Sequence, residues 1–252
     1  MNPNGKSPAK KTPKKKSKVL VFRRDELAPV AAFPAAFSMG APAFAEEIYP
    51  DILIESLRAI VSSLEEKDSY THGHSIRVAE YSVLLAQELK MSEVEVREVE
   101  LSALLHDIGK IGIPDSVLLK PARLTRAEFE IMKSHPVRSA RILSKISSLQ
   151  PLIPGIKHHH ERFDGLGYPD GLKGDAIPFY ARIILIADTF DAMTSTRPYR
   201  LALDKEIAFA ELDKCSGTQF DPTLVDAFVK ALRKVDQGEE RVERVSLLKK
   251  IA

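Results

Sequence analysis

All seven histidines of this 252-residue chain, at positions 72, 74, 106, 135, 158, 159 and 160, fall between residues 72 and 160. Three are consecutive in HHHERFDGLGYPDG (residues 158–171), ahead of a glycine-rich turn. His106 is followed directly by Asp107 in LLHDIGK, and Asp188 stands in the apolar stretch ARIILIADTFDAM. Imidazoles and carboxylates grouped in this way are donors for borderline divalent cations. An ionised carboxylate in an apolar stretch is costly unless a cation or a metal faces it. Each feature alone has a plainer explanation. A helix C-terminus favours a cationic histidine, and Asp188 has Arg182, Arg197 or Arg200 as ion-pair candidates. Adjacent side chains on a helix diverge by about 100°, so His106 and Asp107 reach one ion only over a helix end. Asp191, three residues after Asp188 on the same face, is placed to orient a ligand or a water.

The elements that must position these side chains read as helices. From about Tyr49 apolar residues recur at three- and four-residue spacing, as in DILIESLRAIVSSLEE and SIRVAEYSVLLAQELK. Ser92 with Glu95 has the form of a capping box, opening a helix that Gly109 is expected to end. Thr125 with Glu128, in LTRAEFEIMKSHPVRSARILSKI, marks another start, and residues 179–194, 203–214 and 222–236 repeat the period. Alternating strand patterns are nearly absent. The expectation is an all-α bundle of seven or more helices, with one long glycine-rich loop over residues 161–178 and no internal repeat.

Together, YTHGHSIRVAEYS, HDIGKIGIPD, MKSHPVRSARIL and HHERFDGLGYPDGLKGDAIPFYARIILIADTFDAMTSTRPYR resemble the HD-GYP domain, a branch of the HD phosphohydrolase superfamily associated with cyclic di-GMP phosphodiesterase activity. The resemblance covers residues 49–235 and implies an HD-type helical bundle. It implies metal ligands at His74, His106, Asp107, His135, His159, His160 and Asp188, with Asp107 bridging two ions. His72 and His158 fall outside that ligand pattern, and His158 is read as incidental. Some family members hold a third ion through an acid four positions before the first ligand histidine. Here that position is Tyr70, so two ions are expected, with Glu65, Glu66 and Asp68 as the acids near enough to approach by another geometry.

Five histidines and two carboxylates, with no thiolate, suit nearly octahedral Fe, Mn, Co or Ni. The resemblance leans to Fe or Mn, and Zn is the runner-up. The implied reaction is hydrolysis of cyclic di-GMP to linear pGpG, with a second cut to GMP, by a hydroxide shared between two ions. Lys110 would stabilise charge on the phosphoryl oxygens. Arg197 and Arg200 in TSTRPYR would clamp phosphate, or else face solvent or pair with Asp191. Tyr168 either packs on the substrate edge or folds its loop, and in the family that loop is implicated in contact with GGDEF-type diguanylate cyclases. Two rival readings are a phosphohydrolase for cyclic GMP-AMP or another nucleotide, and a binding or scaffold module without turnover.

The rest of the chain bounds these readings. Residues 1–24 carry nine Lys or Arg and no acid, leaving 28 basic against 35 acidic residues, a net charge of −7. Such a tract lacks the apolar surface to fold and is expected to be a disordered basic tail; residues 25–48 are read as a linker and 236–252 as a C-terminal helical extension. With no basic surface in the acidic remainder, specific nucleic-acid binding is not expected. The stretch from Ala28 to Ala45 resembles a secretion signal, but its prolines, the preceding Asp25 and Glu26, and its distance from the N-terminus argue against one. No apolar run reaches the roughly 20 residues that span a bilayer. A single cysteine, Cys215, excludes an intrachain disulfide and favours a reducing bacterial cytoplasm.

Overall fold

The computed structural model describes residues 51–67, 73–196 and 201–238. The helices are α1 (Asp51–Lys67), α2 (His74–Glu88), α3 (Glu93–Leu105), α4 (Asp115–Leu118), α5 (Arg126–Met132), α6 (His135–Leu143), α7 (Ile153–Lys157), α8 (Phe179–Thr194), α9 (Lys205–Lys214) and α10 (Pro222–Asp236). Short 3₁₀ turns at Ile108–Gly112, Ser147–Leu152 and Gly174–Ala176 join some of them. Among the described residues there is no strand, only an isolated bridge between Ser216 and Phe220. The all-α expectation holds. No helix among these residues is long and apolar enough to cross a membrane.

Helices α2, α3 and α8 pack on one another at the centre. On one side, Val83, Leu84, Phe190, Phe209 and Phe228 join α2 and α8 to α9 and α10 in an apolar cluster. On the other, Ile54, Leu57 and Val61 of α1 meet Val78, Leu101, Leu105, Ile156 and Ile184. A smaller cluster of Ile113, Val117 and Leu118, with Met132 against it, seats α4 beneath α5.

The capping signals act where the sequence places them. Ser92 accepts from the Glu95 amide while the Glu95 carboxylate accepts from Ser92 N–H, and Thr125 and Glu128 make the same reciprocal pair. Two details differ from expectation. The helix opened by Ser92 ends at Leu105, not at Gly109, which lies inside the following 3₁₀ turn. The stretch begun at Thr125 is broken near Ser134, and Pro136 in the first turn of α6 starts a new helix whose first residue is His135. Both breaks release a candidate ligand from the middle of a helix to an end. The tail and linker expected over residues 1–48 lie outside the described residues, as does all but the first turn's worth of the expected extension after Asp236.

Candidate metal centre

Helix ends deliver the site. His74 opens α2, His106 and Asp107 follow α3, His135 opens α6, and His159 and His160 follow α7; only Asp188 and Asp191 come from within a helix, α8. The start of α2 is fixed from α1, because the buried Glu65 carboxylate accepts the backbone N–H of Gly73 at 2.8 Å and of Ser75 at 2.9 Å. Ser139 ties two further pieces together. Its hydroxyl donates to His106 O at 2.7 Å and accepts from Gly109 N–H at 2.8 Å. A side chain at Gly109 would collide with His135 O and Ser139 N, which explains glycine there better than a helix stop does.

Imidazole nitrogens and carboxylate oxygens converge in three overlapping groups: His74, His106 and Asp188; His135, His159 and His160; and His106, Asp107 and His159. Asp107 lies between the first two. Its Oδ2 is 3.3 Å from His106 Nε2 and 4.0 Å from His74 Nε2, and its Oδ1 is 3.1 Å from His135 Nε2. His74 Nε2 is 3.3 Å from Asp188 Oδ1. His135 Nε2 and His159 Nε2 stand 3.4 Å apart.

The opposite ring nitrogens are committed elsewhere. Nδ1 of His106, His135 and His159 bonds the carbonyl oxygens of Ala103, Met132 and Ile156 at 2.6, 2.8 and 2.7 Å. Nδ1 of His74 bonds Asp191 Oδ2 at 2.7 Å. A neutral imidazole that donates through Nδ1 presents a lone pair at Nε2, the form a metal takes.

Burial first, then the neighbouring His160, holds the His159 imidazolium well below its ordinary pKa, and burial with His135 close by lowers His160 to about 3. Both rings are therefore neutral at physiological pH. Burial would lower His74 as well, but its contacts with Asp188 and Asp191 outweigh that and raise it to about 9. Asp107 and Asp188 are enclosed, which opposes ionisation. His106 and Lys110 beside Asp107, and His74 beside Asp188, nonetheless keep both carboxyls far below the usual carboxylate range.

The arrangement fits divalent cations. His106 Nε2 and Asp107 Oδ1 are buried with no hydrogen-bond partner, although charged or polar atoms lie near them. Unsatisfied buried donors and acceptors are costly, and a cation between them would answer several at once. The absence of sulfur from the donor set and the abundance of imidazole suit first-row transition ions.

A family profile described as HD domain matches residues 58–224. The chain belongs to the HD domain family. A cyclic di-GMP phosphodiesterase of Thermotoga maritima is 47% identical to this HD domain protein over 189 residues, covering 74% of this chain and 51% of the relative. A 3′3′-cGAMP-specific phosphodiesterase of Vibrio cholerae is 38% identical over 187 residues, covering 74% of this chain and 40% of the relative. The chain thus spans about half the length of the curated relatives it matches. The crystal structure of a cyclic GMP-AMP-specific phosphodiesterase of V. cholerae superposes with a TM-score of 0.58 at 22% identity, over 71% of this chain and 48% of that one; at such identity the likeness is one of fold.

Within this HD domain, all seven residues expected as ligands come together, and Lys110 forms an ion pair with Asp107 at the rim. Tyr168 lies against His160, with ring centroids 4.8 Å apart. Arg197, Arg200, His72, Tyr70 and Asp68 lie outside the described residues. Glu65, one of the acids considered for a third ion, is committed to the start of α2. Asp188 does not pair with Arg182, which instead bridges Asp175 and Asp221 at 2.8 and 2.7 Å. The buried Asp191 accepts from His74 and from Arg77 Nε at 2.6 Å.

Sequence reasoning passed over Arg77, Ser139 and Glu161. Arg77 had a readable signal, standing three residues after His74 on one helical face. Glu161, 1% exposed, accepts the N–H of Asp170 at 2.7 Å and of Leu172 at 3.1 Å, folding the 161–178 loop around its own carboxylate. His158 is not incidental, because its Nε2 bonds Asp170 Oδ2 at 2.9 Å and fastens the same loop. A side chain at Gly167 would collide with the backbone of residues 160–162, so that loop lies flat on the histidine run.

Proposed function

We propose that this chain hydrolyses a cyclic dinucleotide, cyclic di-GMP, opening it to linear pGpG, and that it does so in the bacterial cytoplasm. The observation that carries the reading is Asp107 presenting one oxygen to His74 and His106 and the other to His135. His74, His106 and Asp188 would hold one ion, and His135, His159 and His160 the other, with Asp107 shared between them. The donor set suits Fe, Mn, Co or Ni, and among these the family resemblance favours Fe or Mn. When bound, such ions polarise phosphoryl oxygens and acidify water.

The chain's own groups would do the rest. The Lys110 ammonium, a rim donor beside Asp107, would take up charge gathering on the phosphoryl oxygens as water adds to phosphorus. The P–O3′ bond breaks, the 3′ oxygen leaves as a hydroxyl, and the phosphate stays on the 5′ side. Burial, reinforced by Asp107 and Asp188, keeps the Tyr168 phenol protonated far above its ordinary range, so it is a donor at the substrate's edge. Arg197 and Arg200 would clamp phosphate.

Naming of the most similar relatives supports cyclic di-GMP, and the V. cholerae relatives named for cGAMP mark the rival substrate. The test is product analysis by anion-exchange chromatography after incubation with cyclic di-GMP and with 3′3′-cGAMP in parallel. Linear pGpG formed faster than the linear GMP-AMP product supports the reading; exclusive cGAMP cleavage would replace the substrate. A GGDEF-type cyclase is the proposed partner of the loop, whose tip residue Leu166 is 78% exposed. Equal cyclase capture after Tyr168→Ala and Leu166→Ser would remove that part.

A further inference from the structure

Helix α5 has no buried residue, yet it carries a phenylalanine. Phe129 is 46% exposed, and its ring stands 6.4 Å from that of Tyr168 at an interplanar angle of 82°. Tyr168 in turn lies against His160, so the two rings form an open aromatic corner one side chain away from the His/Asp cluster. Lys133, a turn beyond Phe129, holds its ammonium 5.6 Å from the Phe129 centroid and 5.9 Å from that of Tyr168. Glu130 Oε1 accepts from Lys133 at 2.7 Å, and an ammonium carries three donors.

The corner is fixed with respect to the cluster. At its start α5 is held by the Thr125–Glu128 box and by Lys120, which donates to both Glu128 oxygens at 2.8 and 2.6 Å. At its end Met132 packs on the Ile113 cluster, and Met132 O takes the Nδ1 proton of His135. An exposed aromatic held so firmly beside a phosphodiester site is unlike a stray surface residue. A nucleotide whose phosphate is engaged at the cluster carries its base one sugar away, and exposed aromatic faces receive bases by stacking.

We infer that Phe129, Tyr168 and Lys133 form the subsite for a purine base of the substrate, and that Lys133 selects guanine over adenine. The inference rests on the cyclic-dinucleotide reading above. Guanine presents acceptors at O6 and N7, both of which a lysine can satisfy, whereas adenine sets an amino donor in place of O6. A donor-only side chain therefore favours the first base and meets an unpaired donor on the second.

The test measures KM and kcat for cyclic di-GMP and cyclic di-AMP in the metal-loaded full chain and its Phe129→Ala, Phe129→Trp and Lys133→Met variants, with calorimetric binding of both dinucleotides alongside. Phe129→Ala is expected to raise KM for cyclic di-GMP about tenfold with little change in kcat, and Phe129→Trp to restore it. Lys133→Met should lower the preference for cyclic di-GMP over cyclic di-AMP about tenfold. An unchanged KM in Phe129→Ala, or equal losses for both dinucleotides in Lys133→Met, overturns the inference. If the wild type cleaves neither dinucleotide, the cyclic di-GMP hydrolase reading fails, and the binding data decide the subsite alone: cyclic di-GMP binding weakened by Phe129→Ala upholds it, and unaltered or absent binding overturns it.

Discussion

Asp191 never approaches the paired His/Asp groups with a free oxygen; one oxygen accepts from His74 and the other from Arg77, at 2.7 and 2.6 Å. It orients the His74 ring and fixes which nitrogen faces inward, as outer partners of ligating histidines do. Replacing it with Asn removes the charge and turns an amide N–H toward one of two donors. Asp191→Asn is accordingly expected to weaken metal binding by about 10- to 100-fold, read from a metal titration of apo protein. Arg77→Ala should produce a smaller loss in the same assay. At this scale the sequence was legible where residue type is itself the signal: clustered histidines and a carboxylate in an apolar run. Ser139 and Glu161 were not legible, since a lone serine or glutamate acquires its role only from the backbone groups that folding brings to it. His158 was misread for the same reason, because its partner Asp170 sits across a loop whose path no periodicity encodes.

The 161–178 loop and the α5 segment behave as built elements. Glu161→Gln leaves one of two loop N–H groups facing an amide donor within a buried site, a cost of about 1–3 kcal/mol. Faster hydrogen exchange at the Asp170 and Leu172 amides, with those of α8 unaffected, is the expected signature. On α5, the Lys120 ammonium and then the Thr125 amide and hydroxyl lower the Glu128 carboxyl from 4.5 to about 2. A depressed carboxylate contributes stability above its unfolded value and loses it as pH falls through the folded one. The difference in Tm between wild type and Glu128→Gln should be constant above about pH 5 and shrink as pH drops toward 2. Helix starts at Ser92 and Thr125 were readable because the capping box is a local code. The break at Ser134 had a local signal in Pro136 that the reading overlooked, whereas the early end of α3 had none, since Ser139 of another helix holds His106 O and Gly109 N–H there.

For the whole molecule, α2, α3 and α8 form a frame with apolar clusters on both sides, and the candidate centre sits where their ends meet α6 and α7. Its bundle architecture followed from the 3.6-residue period, whereas the packing order of the helices did not, since nothing local dictates which apolar faces meet. Ions bound by the folded chain alone stabilise it by mass action. Chelation is expected to lower Tm and re-addition of Mn or Fe to restore it, followed by circular dichroism at 222 nm, a helix band. The central claim is that one cluster, joined through Asp107, holds the ions and cleaves the dinucleotide. The most direct test is to purify wild type and Asp107→Ala without oxygen and count metal and cyclic di-GMP turnover on the same samples. About two ions per chain with turnover, both lost in the variant while its helical spectrum persists, is the predicted result. Full turnover in Asp107→Ala, or two ions in the wild type with no cleavage of any cyclic dinucleotide, would contradict it.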